Sequence, residues 1–134
     1  MADVIQLDIV TPERRVISEP VQEVTIPGET GYLGILPGHA PLLTALGVGE
    51  ISYRGAAGLK RLAVAWGFAE VLGGKVTILA ETAERPEEID VSRAHAAKER
   101  AEKRLKAPPT DLDYARAEEA LKRAQTRLDV AQGK

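Results

Sequence analysis

The sequence predicts a β-plus-α protein: an N-terminal antiparallel β-sandwich over residues 1–85, followed by a two-helix hairpin over residues 86–134. Three observations carry this reading. Apolar and polar residues alternate through the first part, which is the period of half-buried strands. Beyond Asp90, two alanine-rich stretches free of Gly and of internal Pro are split by Pro108-Pro109. Charge also divides the chain: 11 of its 18 Lys and Arg and 10 of its 20 Asp and Glu lie between Glu87 and Lys134.

Within the first part, Ile5, Leu7 and Ile9 alternate with Gln6 and Asp8, and Val24 and Ile26 with Glu23 and Thr25. Leu62, Val64, Trp66 and Phe68 point one way if extended, and Val76, Ile78 and Ala80 repeat the pattern. Breaks are expected at Pro27-Gly28, Gly47-Val48-Gly49, Gly55 to Gly58 and Gly73-Gly74. The last pair suits a tight primed turn, which requires positive φ. Short strands at this spacing suggest about eight to ten in a sandwich or flattened barrel.

In the second part, Asp90 is placed to cap a helix that runs from Val91 to Lys106 and is stopped by Pro108 and Pro109. Thr110 is the expected cap of the second helix, with Asp113 three residues on, and that helix should reach about Ala131 before Gly133. At 1.5 Å per residue the two are roughly 25 and 30 Å long. Their facing stripes are Ala94, Ala97, Ala101 and Leu105 on the first, and Ala117, Ala120 or Leu121, Ala124, Leu128 and Ala131 on the second. Alanine seams allow close approach but bury little area, so the hairpin is expected to lie near balance between folded-back and opened forms.

A chain of 134 residues holds one ordinary domain or a small one with an appendage. Having no cysteine, it has no disulfide scaffold, thiolate zinc site or cysteine nucleophile. A net charge of −2 argues against polyanion binding by the molecule as a whole. The near-cancelling tail, with Tyr114 its one aromatic, argues against nucleic acid. The start Met1-Ala2-Asp3-Val4 is unlike a signal peptide, and no run approaches a membrane span, so membrane contact is expected only through partners. The two histidines, His39 and His95, suggest no nucleophilic triad; Glu87-Glu88 and Glu118-Glu119 read as solvated faces. Gly28, Gly31, Gly34 and Gly38 lack the Gly-Lys-Ser/Thr of a phosphate loop and read as turn punctuation. An enzyme is the least expected class.

Two features exceed this patterning. The apolar loop Gly31 to Leu42 either covers the end of the sandwich or is a docking surface. Asp90 and Arg93 share a side of the first helix, and Arg123 and Arg127 flank the alanine stripe of the second. A closed hairpin would gather three guanidiniums near one carboxylate. On spacing alone the simpler account is favoured, a capped helix with surface ion pairs each worth under about 1 kcal/mol.

Over essentially its whole length the chain resembles the epsilon subunit of F-type ATP synthases. The stretch Gly31 to Leu46, GYLGILPGHAPLLTAL, is similar to the family's Gly-x-x-Gly-x-Leu-Pro-Gly-His-x-Pro-Leu. Trp66-Gly67-Phe68-Ala69-Glu70-Val71 resembles its Gly-Gly-Phe-x-Glu-Val, with Trp66 in place of the first glycine. Val76 to Ala80 and Leu121 to Ala124 also fit. The resemblance implies a sandwich of about ten strands and a non-catalytic rotor-stalk role at the cytoplasmic face of the bacterial membrane. The implied partners are the gamma subunit, the c-subunit ring, and the alpha and beta subunits of the catalytic head. It also implies a hairpin that inhibits ATP hydrolysis when extended. No cofactor is required, but ATP, with or without Mg, is implied as a regulatory ligand of the folded-back form. The family's Ile/Leu-Asp-x-x-Arg-Ala motif matches Ile89, Asp90, Arg93 and Ala94; Glu84, Arg123 and Arg127 complete the implied nucleotide site. Pro86, just ahead of the motif, is a departure that stiffens the hinge. Two other readings remain: the same subunit with a hairpin latch that ignores nucleotide, and an unrelated protein-binding module.

Overall fold

The computed structural model describes residues 4–109 and 113–133. Seven strands form the first part: β1 (Ile5–Val10), β2 (Arg15–Val21), β3 (Glu23–Gly28), β4 (Gly31–Ile35), β5 (Leu42–Gly55), β6 (Gly58–Leu72) and β7 (Lys75–Glu84). They follow the order β2-β1-β7-β6-β5-β3-β4. One ladder departs from the antiparallel expectation: β1 pairs with β7 in parallel, from Gln6 against Lys75 to Val10 against Leu79. These are the first and last strands, so no hairpin joins them; the intervening chain is the crossover that a parallel pair requires.

The expected strand count and the expected break at Gly47-Val48-Gly49 are both revised by the length of β5 and β6, which have 14 and 15 residues. Along β5, the buried core residues change from Leu46 to Ile51 and Tyr53, from even to odd positions. Along β6 they change from Leu62 and Val64 to Ala69 and Val71, and along β7 from Val76, Ile78 and Ala80 to Ala83. All belong to one core cluster. The three long strands therefore turn over together part-way along, and each half reads as a strand of its own. Counted by halves, they give the ten or so that sequence patterning suggests.

The turnover also corrects the orientation expected for Trp66 and Phe68. Trp66 has φ 59° and Gly67 φ 130°. The rotation leaves Trp66 half-buried and sends Phe68 outward, 57% exposed. At Gly67 a Cβ would collide with the carbonyl oxygen of Leu79, so only glycine lets β6 and β7 pair here. Gly73 and Gly74, with φ 56° and 77°, form the primed turn anticipated between β6 and β7.

After β7 a 3-10 turn, Pro86–Glu88, leads into α1 (Val91–Lys106), and α2 (Tyr114–Gln132) follows. Asp90 caps α1 as expected, its Oδ1 accepting from the Arg93 amide at 3.0 Å. Thr110 lies outside the described residues. The cap of α2 is Asp113, whose Oδ1 accepts from the Arg116 amide at 3.1 Å, and Gly133 closes the helix in the left-handed conformation. The seam buries Ala94 and Ala101 of α1 against a face of α2 carrying Ala117, Ala124 and Leu128. The hairpin is folded back on the sandwich. Helix α2 packs on β5, β6 and the 3-10 turn, and α1 packs chiefly on α2. A small separate cluster of Ala63, Ile89 and Val130, with Ala131 against it, joins the hairpin to the sandwich.

Candidate functional site

A pocket of about 420 Å³ opens where the end of β7, the 3-10 turn and both helices meet. It is lined by Glu84, Glu88, Asp90, Arg93, Ala94, Ala97, Arg100 and Arg127. Its volume lies within the range of small-molecule sites. Five of the seven residues expected from the sequence line it: Glu84, Asp90, Arg93, Ala94 and Arg127. Ile89 lies beneath, 8% exposed, as part of the apolar joint with Ala63 and Val130. Arg123 lines an adjoining crevice against the sheet, beside Ala63, Val64 and Ala65, which shares Glu84 and Arg127 with the main pocket.

The local chemistry follows from the elements. The α1 cap fixes Asp90 at the mouth of the first turn. Arg93, Ala97 and Arg100 follow at helical spacing on one side. Across the pocket, Arg127 Nε donates to Glu84 Oε1 at 2.6 Å, tying α2 to the last residue of β7. Glu88 accepts from the Arg85 amide at 2.9 Å and from the Arg14 guanidinium at 2.5 Å. The Arg85 amide, and then the Arg14 charge, hold the Glu88 carboxyl below its usual pKa, so it stays ionised. Arg93 and Arg100 form no ion pair with the described residues. The pocket thus offers two guanidiniums without an ion pair among the described residues, a third bound to a carboxylate, and acceptors on Asp90, Glu84 and Glu88. Guanidiniums in this arrangement suit phosphate oxygens, to which they donate charge-assisted and often bidentate hydrogen bonds.

Arg100, Ala97 and Glu88 were not expected in this site: the sequence reads Ala97 as part of the helix seam and Glu88 as a solvated face, whereas both line the pocket. The available signal was the two-turn spacing from Arg93 to Arg100 on a capped helix; Glu88 is brought in only by the turn. Among the described residues, no group of three or more His, Cys, Asp or Glu is placed to hold a metal.

The sandwich carries a second surface of interest. Phe68 pairs with Ala45 and Leu79 across the sheet, and Leu43 with Glu70. Leu43, Phe68, Leu72 and Leu79 therefore share one outer face and are all exposed. The loop from Gly31 to Leu42 exposes Tyr32 and Leu36, although the Tyr32 hydroxyl accepts from the Glu50 amide at 3.1 Å. No helix among the described residues is long and apolar enough to cross a membrane.

A β-sandwich with an apolar outer face and a helical hairpin folded back on it defines a two-part β-plus-α class of protein. Its relatives are specific. The family described as ATP synthase, Delta/Epsilon chain, beta-sandwich domain matches residues 4–86, and the corresponding long alpha-helix domain matches residues 87–132. The ATP synthase epsilon chain of Koribacter versatilis is 62% identical over 106 residues, 79% of this chain and 75% of that one. The epsilon chain of Geobacter sulfurreducens is 49% identical over 115 residues, 85% of this chain and 83% of its own length. A chain in the mitochondrial ATP synthase structure of Euglena gracilis (OSCP/F1/c-ring in rotational state 1) superposes with a TM-score of 0.82 at 27% identity, covering 98% of this chain and 83% of that one. A Tetrahymena thermophila central stalk/c-ring chain shares the fold, with a TM-score of 0.57 at 16% identity over 96% and 93% of the two chains. The chain belongs to the ATP synthase delta/epsilon family, as a non-catalytic epsilon-type subunit.

Proposed function

We propose that this subunit docks its sandwich on the gamma subunit and the c-subunit ring, couples their rotation to ATP synthesis, and reads ATP through its hairpin. The Euglena neighbour belongs to an F1/c-ring assembly, and the face bearing Leu43, Phe68, Leu72 and Leu79 supplies the apolar area such docking needs. Location at the cytoplasmic face of the bacterial membrane, held there by partners alone, follows from this reading. In the opened form, Lys98, Arg100, Lys103 and Arg104 of α1 would meet acidic surfaces of the alpha and beta subunits and restrain hydrolysis.

The observation that carries the ATP reading is the composition of the 420 Å³ pocket: Glu84 comes from β7, Arg93 and Arg100 from α1, and Arg127 from α2. The site exists only while the hairpin is folded back. A ligand bound to one conformer alone stabilises it by RT ln(1 + [L]/Kd), about 2.7 kcal/mol at a hundredfold excess over Kd. In this reading Asp90 and Glu84 accept from the adenine amino group, and the arginines hold the phosphates. Mg, if it accompanies ATP, would be carried by the phosphates. Calorimetric titration of ATP into the isolated chain, repeated with Arg123→Ala and Arg127→Ala, tests the site. Loss of affinity in Arg127→Ala is expected, with a smaller loss in Arg123→Ala because Arg123 faces the adjoining crevice. No heat of binding to the unmodified chain would exclude the ATP reading and leave a nucleotide-blind hairpin.

A further inference from the structure

The pocket itself contains an anion for one of its arginines. Arg127 is the α2 residue that lines it, and its Nε is held by Glu84 at 2.6 Å. Both side chains are about one-third exposed, 34% and 30%, so solvent screens the pair only in part. The apolar joint beside it is small, with Ala63, Ile89 and Val130 as its buried members. Because α1 packs chiefly on α2, whatever fastens α2 fastens the whole hairpin.

Resting on the ATP reading of this pocket, the geometry points to an internal stand-in: the Glu84 carboxylate occupies Arg127 when no phosphate is present and fastens α2 to β7 in its place. Glu84 and a polyanion then compete for one guanidinium. Arg93 and Arg100, which no described carboxylate pairs, are the first phosphate contacts; Arg127 joins only by leaving Glu84. Two consequences follow. Loss of nucleotide does not by itself free the hairpin, because the ion pair re-forms as the ligand departs. The apparent affinity for ATP is lower than three guanidiniums would give, since part of the binding free energy goes into breaking the pair. The ion pair thus sets the nucleotide level at which the hairpin responds.

Glu84→Gln separates charge from shape, because the amide keeps an acceptor oxygen for a ligand amino group while losing its hold on Arg127. The chain has no cysteine, so Glu13→Cys on the sandwich and Glu118→Cys on α2, both exposed, give a clean dye pair for the distance between hairpin and sandwich. Without nucleotide, Glu84→Gln and Arg127→Met should each lower the ratio of docked to opened hairpin two- to five-fold, the range of partly exposed ion pairs. The double variant should lower it no further. In calorimetry with ATP, Glu84→Gln should bind two- to five-fold more tightly, and the gain should vanish in the Arg127→Met background. Additive effects in the nucleotide-free cycle, or weaker ATP binding by Glu84→Gln, would overturn the stand-in. Absence of ATP binding by the parent chain would instead remove the nucleotide reading, while the nucleotide-free cycle still decides whether the pair fastens the helix.

Discussion

Replacing Val130 with alanine should release the hairpin while leaving the sandwich intact. Val130 is 1% exposed, near the end of α2, and belongs to the small cluster with Ala63 and Ile89 that joins the two parts. It is absent from the core cluster of the sandwich. The substitution removes the equivalent of two methylenes, about 0.8 kcal/mol each, so about 1.5 kcal/mol of transfer free energy is lost. A rigid cavity would add to this, but a helix free to move a fraction of an ångström relaxes around it, so the transfer figure is the better guide. The loss corresponds to a shift of about tenfold in the docked-to-opened ratio. It is about half of the roughly 2.7 kcal/mol that a ligand at hundredfold excess over Kd supplies, so a ligand outweighs this joint. Energy transfer between dyes at Glu13→Cys and Glu118→Cys reads the ratio directly, and thermal unfolding reports the sandwich separately. A Val130→Ala chain with an unchanged docked fraction would refute the claim that this joint holds the hairpin. A large fall in the melting temperature of the sandwich would refute the claim that the two parts are energetically separable.

Other outcomes follow from single residues. Gly67→Ala should cost more than about 3 kcal/mol, because its Cβ meets the Leu79 carbonyl and its φ is 130°; chemical denaturation measures this. Trp66→Gly should relieve about 1 kcal/mol of left-handed backbone strain and lose some half-buried indole contact, giving a stability change much smaller than that of Gly67→Ala. Asp8 is hydrogen-bonded by Ser18 and then Gln6, with Lys75 Nζ at 3.1 Å, and these lower its pKa to about 2. Its folded pKa lies below the unfolded one, so the stability it contributes is present above about pH 4 and is lost as pH falls through about 2. Asp8→Asn should flatten the stability profile across that window in acid titrations followed by circular dichroism. Arg100→Ala should weaken ATP binding about tenfold or more in calorimetry, the scale of one charge-assisted phosphate contact.

Local chemistry determined much of this protein in its sequence. Asp90 before Val91, and Pro108-Pro109 after Lys106, fixed the first helix, because caps and proline act on the nearest backbone alone. Gly73-Gly74 fixed a primed turn for the same reason. The family motif at Ile89 to Ala94, with Glu84 and Arg127, pointed to most of the pocket wall before any fold was known. What the sequence left open depended on distant partners. The rotation at Trp66-Gly67 turns Phe68 outward, and what requires glycine there is the neighbouring Leu79 carbonyl twelve positions on, which periodicity does not see. The parallel pairing of β1 with β7 joins the two ends of the domain. Ile89 reads as part of a ligand motif, but packing beside Val130 makes it a joint. Only the folded-back hairpin brings Arg127 to Glu84, 43 residues apart in sequence, so that pair was decided by tertiary structure. A capping residue acts over one helical turn, whereas an ion pair between strand and helix exists only once both are in place.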